Sequence, residues 1–128
     1  MLAHLTDAVD YIWTTAEELG LADRLTVFLG SDFARTPRYN SINGKDHWPI
    51  GSAIFMQKNA AWSNRVVGVT DDLHNAVDLD EDSLKPSSGG RHINPGDVQR
   101  AMRVLAGIDG HATSARFPIN TGAYLDFF

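Results

Sequence analysis

A short, continuous apolar run constrains the fold of this chain more than any other feature. Residues 24–30 read RLTVFLG, which is too short for a helix and contains the β-branched pair Thr26 and Val27. Such a run is typical of a strand that is buried on both faces. Before it, apolar residues recur at helical spacing from Leu5 to Leu19, and Gly20 follows as a stop signal. A helix followed by a buried strand predicts an α/β fold built around a sheet.

The remaining elements extend this prediction along the chain. Residues 52–56 (SAIFM) and 65–69 (RVVGV) are predicted to form two further strands, and the acidic, Ser-rich residues 70–90 a solvated excursion. A second helix is predicted to begin after Asn94, with Pro95 in its first position, and to end at Gly107. With 128 residues, 43% of them hydrophobic, and no internal repeat, residues 1–128 are expected to form a single domain.

Composition excludes several classes of function. The net charge of -5 and the absence of clustered Lys and Arg argue against a nucleic-acid binder. The chain has no cysteine, so any metal must be held by carboxylate, imidazole or carbonyl groups. No apolar run approaches the roughly 20 residues of a membrane span, and the first residues lack a signal-peptide pattern. The sequence therefore predicts a soluble chain and leaves its localisation open.

The polar segment at residues 31–51 is the main candidate for a functional site. It begins where the predicted buried strand ends, which is where open α/β sheets bind ligands. Asp46 and His47 are adjacent in it, and both side chains could reach one ion or two neighbouring ions if the backbone bends. Zinc and related cations accept this type of ligand pair. The alternative is a surface Asp beside a His that hydrogen-bonds the loop.

Three further residues of this segment are candidates. Asp32 is either another metal ligand or the first residue of an Asx turn. Arg35, followed by Thr36, is placed to bind substrate, because a guanidinium fork matches the geometry of phosphate or sulfate. The alternative for Arg35 is a salt bridge to Asp32 or Asp46.

The order of motifs resembles the sulfatase-like domain-of-unknown-function family of the alkaline phosphatase superfamily. The chain carries SDFARTP at residues 31–37, NGKDHWP at 43–49, GVTD at 68–71 and NPGDVQRAMRVLAGID at 94–109. Two features depart from the family pattern. Ala34 stands where the family usually has Gly, and residues 56–64 (MQKNAAWSN) replace a Gly-rich stretch.

The resemblance implies the C-terminal part of an alkaline-phosphatase-like sheet with flanking helices. Members of that superfamily hydrolyse phosphate or sulfate esters with one or two divalent cations, so it implies zinc, manganese or calcium bound by Asp32, Asp46 and His47. It also implies that the nucleophile lies in an N-terminal half of the domain that is not present in this sequence. Many relatives carry a twin-arginine export signal, which would make the parent protein exported, but these residues contain no such signal.

Two functional hypotheses from different classes follow. The first is a partial divalent-metal site that hydrolyses a small anionic ester when the domain is complete. The second is a catalytically inactive α/β domain that binds a ligand or a protein. The expected partner is the missing N-terminal half or a second copy of the chain, because strands without neighbours would leave unpaired edges.

Overall fold

The computed structural model describes residues 2–128 and combines helices with small antiparallel sheets, so the chain belongs to the general α/β class. Two compact units can be distinguished. The first contains the residues up to Asp32 together with Gly51–Ser63, and the second contains Phe33–Ile50 and Asn64–Phe128. The elements, in chain order, are α1 (Leu2–Glu18), a 3₁₀ helix (Ala22–Arg24), β1 (Thr26–Leu29), β2 (Ala34–Arg35), β3 (His47–Trp48), β4 (Ile54–Gln57), α2 (Pro95–Leu105) and α3 (Ala112–Arg116).

The first unit contains α1 and an antiparallel pair formed by β1 and β4. The strands are in register from Thr26 opposite Gln57 to Leu29 opposite Ile54. Phe28 and Phe55 lie directly across from each other, with ring centroids 4.9 Å apart. Aromatic cross-strand pairs of this kind stabilise a two-stranded sheet. The strands predicted at residues 24–30 and 52–56 are therefore confirmed in position.

The prediction that the first strand is buried on both faces is wrong. Of its four residues only Val27 is buried, and Phe28 is 45% exposed. Within this unit the strand has one antiparallel neighbour, and such a pair can leave one face in solvent, unlike the interior strand of a parallel sheet. An apolar run alone does not distinguish the two arrangements.

The helix predicted before this strand is confirmed as α1, but little of its apolar side is covered. Ala16 is its one buried residue within the described chain, whereas Leu5 and Ile12 are 45% and 40% exposed. Gly20 follows the helix with a φ of 67°, the left-handed conformation that ends many helices. Sequence periodicity thus located the helix and its end, and within this unit most of its apolar side is exposed.

The second unit contains the hairpin of β2 and β3, a segment with few regular elements, and the helices α2 and α3. The strand predicted at residues 65–69 is not formed, and the nearest extended pairing is an isolated bridge between Thr70 and Ala76. Asn64 and Gly68 both have positive φ values, 59° and 92°. These conformations interrupt an extended backbone on both sides of Val66.

The acidic residues 70–90 are folded rather than simply solvated. Leu79 is 1% exposed and forms isolated bridges to Pro86 and Arg91. In the bridge to Arg91, Leu79 N donates to Arg91 O at 2.9 Å and Arg91 N donates to Leu79 O at 3.0 Å. Gly90 is required here because an added Cβ would lie 1.9 Å from the Leu79 carbonyl oxygen. Leu79 joins Ala101 and Leu125 as the most buried apolar residues of this unit.

The second predicted helix is confirmed as α2. Pro95 is its first residue, and the backbone N–H of Asn94 donates to Asp97 Oδ2 at 2.8 Å, which ties down the first turn. Gly107 follows with a φ of 69°. Within residues 2–128, no helix is both long enough and apolar enough to cross a membrane.

Candidate functional site

The structure organises most of the candidate loop as an antiparallel hairpin in the second unit. In the register of β2 and β3, Ala34 lies opposite Trp48 and Arg35 lies opposite His47. The turn between the strands is built around Asn40, whose Oδ1 accepts from the backbone N–H groups of Ile42 and Gly44 at 3.2 and 2.9 Å. An Asn side chain that bonds nearby backbone in this way is a common turn former. The predicted surface loop therefore has a defined internal frame.

One face of the hairpin carries Phe33, Arg35 and His47. Side chains two residues apart on a strand, and side chains directly opposite on paired strands, share a face. The rings of Phe33 and His47 are stacked, with centroids 3.7 Å apart and planes inclined by 23°. The Arg35 Cζ lies 5.0 Å from the centroid of the same phenyl ring, and Arg35 Nη1 donates to Lys45 O at 3.1 Å. A cation and an imidazole are thus held on one aromatic ring.

The next pair in the register, Thr36 and Asp46, belongs to the opposite face by strand alternation. Thr36 N donates to Asp46 O at 2.9 Å, and Asp46 N donates to the Thr36 hydroxyl oxygen at 3.1 Å. The hydroxyl of Thr36 donates in turn to Arg38 O at 2.8 Å. Asn40 Nδ2 donates to Asp46 Oδ1 at 2.8 Å. Thr36 and Asp46 therefore contribute to the internal bonding of the hairpin.

The predicted site residues are accordingly brought together in pairs. Arg35 and His47 form one cross-strand pair, and Thr36 and Asp46 form the next, on alternate faces. Asp32 is an exposed residue of the first unit. In place of the salt bridge considered for Arg35, the structure shows its guanidinium donating to Lys45 O and lying over the ring of Phe33.

The donor chemistry of the hairpin fits a divalent cation in part. An exposed imidazole and an exposed carboxylate are ligands that zinc and manganese accept. In the part of the chain that the structure describes, no three His, Cys, Asp or Glu side chains are grouped as a metal site. Because protein sites for zinc use three or four protein ligands, His47 and Asp46 would supply only a fraction of one.

Two contributors to the site were missed by sequence reasoning. Phe33 lies within the recognised SDFARTP motif, and its spacing of two residues from Arg35 was the available signal that both side chains share a face. Asn40 gave the weaker signal of a turn-forming residue within a polar segment. Neither signal could show the contact with His47 or Asp46, because both contacts depend on the register of the hairpin.

A second polar cluster surrounds Arg91. Its guanidinium donates to Asp97 Oδ2 at 2.8 Å through Nη1, to Asp97 Oδ1 at 3.0 Å and Ala123 O at 2.8 Å through Nη2, and to Glu81 through Nε. Asp97 is only 3% exposed. Burial opposes ionisation of Asp97, but the hydrogen bonds from Arg91 and Asn94 outweigh it and lower the pKa of this carboxyl. Hydrogen bonding to Asp97 and Glu81 likewise raises the pKa of Arg91 despite its burial.

A cavity of ≈ 330 Å³ lies beside this cluster. It is lined by Asp80, Glu81, Asp82, Gly89, Gly90 and Arg91. Asp80 Oδ1 accepts from the backbone N–H and the hydroxyl of Ser83 at 2.8 and 2.7 Å, and Glu81 pairs with Arg91. Most of the polar lining is thus engaged in holding the fold, and the Arg91 cluster is a structural anchor of the second unit.

One of three comparisons with known proteins finds a match. A search of curated proteins and a search of solved structures both find no match. A family model described as "Protein of unknown function (DUF1501)" matches residues 2–115, which is most of the chain. The chain therefore belongs to the DUF1501 family of proteins of unknown function.

Proposed function

We propose that this chain supplies part of the metal- and anion-binding site of an alkaline-phosphatase-like hydrolase of phosphate or sulfate esters. The observation that carries the proposal is the placement of Arg35 directly opposite His47 on one face of the hairpin. That arrangement puts a fixed positive charge beside a metal-ligating side chain. Enzymes that transfer phosphoryl groups combine these two features, one for the charge on the oxyanion and one for the cation.

Arg35 supports the anion-binding half of the proposal. A guanidinium carries five N–H donors, and the bond to Lys45 O uses one of them. Its contact with the face of Phe33 restrains the side chain without occupying its hydrogen-bonding edge. A phosphate or sulfate group of a small ester is the ligand that such a fork matches best.

His47 supports the metal-binding half, and Asp46 and Asp32 are the further ligands proposed from the family resemblance. Because Asp46 lies on the other face of the hairpin, it would serve a neighbouring cation rather than the one at His47. Imidazole binds zinc and manganese through a ring nitrogen, and carboxylates bind zinc, manganese or calcium through oxygen. When bound, such a cation would polarise the ester and neutralise charge that develops on its oxygens. The proposal requires additional ligands and a nucleophile from the rest of an alkaline-phosphatase-like domain.

The same domain is proposed to cover the apolar side of α1. Leu2, Leu5 and Ile12 are 79%, 45% and 40% exposed, and β1 has one strand neighbour within its unit. The helix carries four acidic residues, Asp7, Asp10, Glu17 and Glu18, and no Lys or Arg. At helical spacing these carboxylates lie on the side of α1 away from Leu2, Leu5 and Ile12, so packing through the apolar side would leave them in solvent. The exposed apolar side therefore favours an apolar covering surface.

The alternative function is a catalytically inactive α/β domain that binds an anionic ligand or a protein. The observation that favours it is the same Arg35–Phe33–His47 face, which could hold an anion without any metal. The two functions differ in whether a cation is bound and in whether an ester is cleaved.

Metal analysis by plasma mass spectrometry tests the proposal. The purified chain is equilibrated with zinc, manganese or calcium, passed over a desalting column and compared with an Asp46→Ala, His47→Ala double variant of matched circular dichroism. Because the hairpin supplies only part of the ligand set, we expect the parent chain to retain a substoichiometric amount of one of these metals, and the variant, which lacks both hairpin ligands, to retain less.

A matched control replaces an exposed carboxylate and an exposed imidazole outside the hairpin, Asp72→Ala with His4→Ala. This control should retain the metal. Equal metal content in all three proteins, or none in any, would contradict the metal site and favour the binding domain. Because the nucleophile is proposed to lie outside this chain, release of nitrophenol from nitrophenyl phosphate or sulfate is measured on a protein that contains the whole domain, where it separates a hydrolase from a metal-binding domain that does not cleave esters.

A further inference from the structure

We infer that Phe33 is a positioning residue for the proposed site, holding the imidazole of His47 and the guanidinium of Arg35 on one aromatic ring. The inference deepens the proposed function and rests on it. Phe33 would fix the direction in which two side chains are presented, namely His47, the proposed metal ligand, and Arg35, the proposed anion-binding residue.

The geometry of the Phe33–His47 pair carries the inference. Ring centroids in ordinary aromatic pairs lie roughly 4.5–7 Å apart. The separation of 3.7 Å, with planes inclined by only 23°, means that the two rings overlap face to face. A stacked imidazole cannot turn about its Cβ–Cγ bond without losing this contact, so Phe33 selects the plane of the ring.

Stacking leaves the metal-binding part of the imidazole available. The lone pair that binds a cation lies in the plane of the ring, at Nδ1 or Nε2, whereas Phe33 contacts the face. The contact therefore reduces the torsional freedom of His47 without blocking its nitrogens. Immobilising a side chain on binding has an entropic cost, so a ligand that is already held binds more tightly.

Arg35 is restrained by the same ring. Its Cζ lies 5.0 Å from the Phe33 centroid, and its Nη1 donates to Lys45 O. The Phe33 ring contacts the face of the guanidinium and Lys45 O accepts from its edge. Together these contacts fix the orientation of the guanidinium opposite His47. One phenyl ring thus sets the relative placement of the two groups that the proposed site needs.

Competition of the protein with a chelator for zinc alone, the cation that suits an imidazole ligand, tests the inference. The variants are Phe33→Leu, which keeps apolar bulk but removes the aromatic face, and Phe33→Tyr, which keeps it. We expect zinc affinity to fall roughly 3- to 10-fold in Phe33→Leu, the loss that corresponds to one aromatic pair, and to return to within about 2-fold of the parent chain in Phe33→Tyr. Phe28→Leu is the control, because Phe28 has similar exposure but pairs with Phe55.

A second readout does not depend on metal. The carbon-bound imidazole protons of His47 lie over the phenyl ring, so their nuclear magnetic resonances should move in Phe33→Leu and stay near the parent values in Phe33→Tyr. Unchanged zinc affinity or unchanged His47 resonances in Phe33→Leu would overturn the inference while the proposed function stands. Absence of zinc binding by the parent chain and by the Asp46→Ala, His47→Ala variant alike would instead overturn the proposed function, and the positioning role with it.

Discussion

At the scale of single residues, Arg91 has more hydrogen-bond partners than any site candidate in the described chain. It joins Glu81, Asp97 and the carbonyl of Ala123, which come from three separate stretches of sequence. The carboxylate of Asp97 receives two bonds from Arg91 and one from the Asn94 amide while being 3% exposed. A buried charge with this many partners cannot be removed alone without leaving its partner unsatisfied.

We therefore predict that Asp97→Asn destabilises the chain by about 3 kcal/mol near neutral pH, as is typical when one member of a buried ion pair is removed. Asp82→Asn, an exposed carboxylate in the neighbouring acidic stretch, is the control and should change the free energy of unfolding by less than about 0.5 kcal/mol. Urea titration followed by circular dichroism measures both. Equal stabilities for the two variants would contradict the anchoring role of Arg91.

The ionisation of Asp97 makes the predicted loss of stability depend on pH. The pKa of Asp97 is lowered in the folded state from an ordinary value of 3.8. Its contribution is therefore complete above pH 3.8 and is lost as the pH falls towards the folded pKa. The difference in stability between the parent chain and Asp97→Asn should shrink as the pH falls below 3.8 and should be smallest below the folded pKa of Asp97, where both side chains are neutral.

Sequence reasoning selected the candidate residues but could not predict their contacts. Arg35, Thr36, Asp46 and His47 were identified from motif chemistry, and the structure places all four in one hairpin. Which of them share a face depends on register, and a shift of one residue would exchange the faces. Arg91 and Asp97 lie six positions apart, outside local helical spacing, so their pairing was not visible in any local pattern.

At the scale of elements, helices were predicted better than strands. The periodicity and end signals of α1 and α2 lie within their own residues, so Gly20 and Gly107 were recognised without tertiary information. The strand predicted at residues 65–69 failed because positive φ values at Asn64 and Gly68 interrupt it. Burial of β1 was overestimated because an apolar run does not reveal what covers it.

The residue that follows α2 allows a test of the left-handed conformation at the end of this helix. Gly107 has a φ of 69°, and an added Cβ would meet no atom within 4 Å. Gly107→Ala is therefore predicted to destabilise the chain by about 1 kcal/mol through backbone strain alone. Gly110→Ala is the control, since Gly110 has equal space but no positive φ, and it should be neutral or slightly stabilising. Thermal unfolding measures the stability of both variants. A Gly107→Ala protein as stable as the Gly110→Ala control would contradict a left-handed conformation at the end of α2.

At the scale of the whole molecule, the net charge opposes self-association of the chain, whereas its exposed apolar surface favours it. The chain has a net charge of -5, and α1 contributes four carboxylates and no Lys or Arg. The same helix exposes Leu2, Leu5 and Ile12, which water disfavours and a partner surface would cover. The carboxylates lie on the other side of the helix, so a covering surface needs to be apolar but need not carry basic residues.

We therefore predict that the isolated chain remains a monomer of 14.0 kDa in light scattering across a range of protein concentration at low salt. Repulsion between chains of net charge -5 is screened as salt is added, so any self-association should appear first at high ionic strength. Asp7→Lys with Asp10→Lys, which changes the net charge from -5 to -1, should promote self-association at low salt because it weakens this repulsion. A parent chain that dimerises at low salt would contradict this account of α1 and make a second copy, rather than another segment of the domain, the partner that covers it.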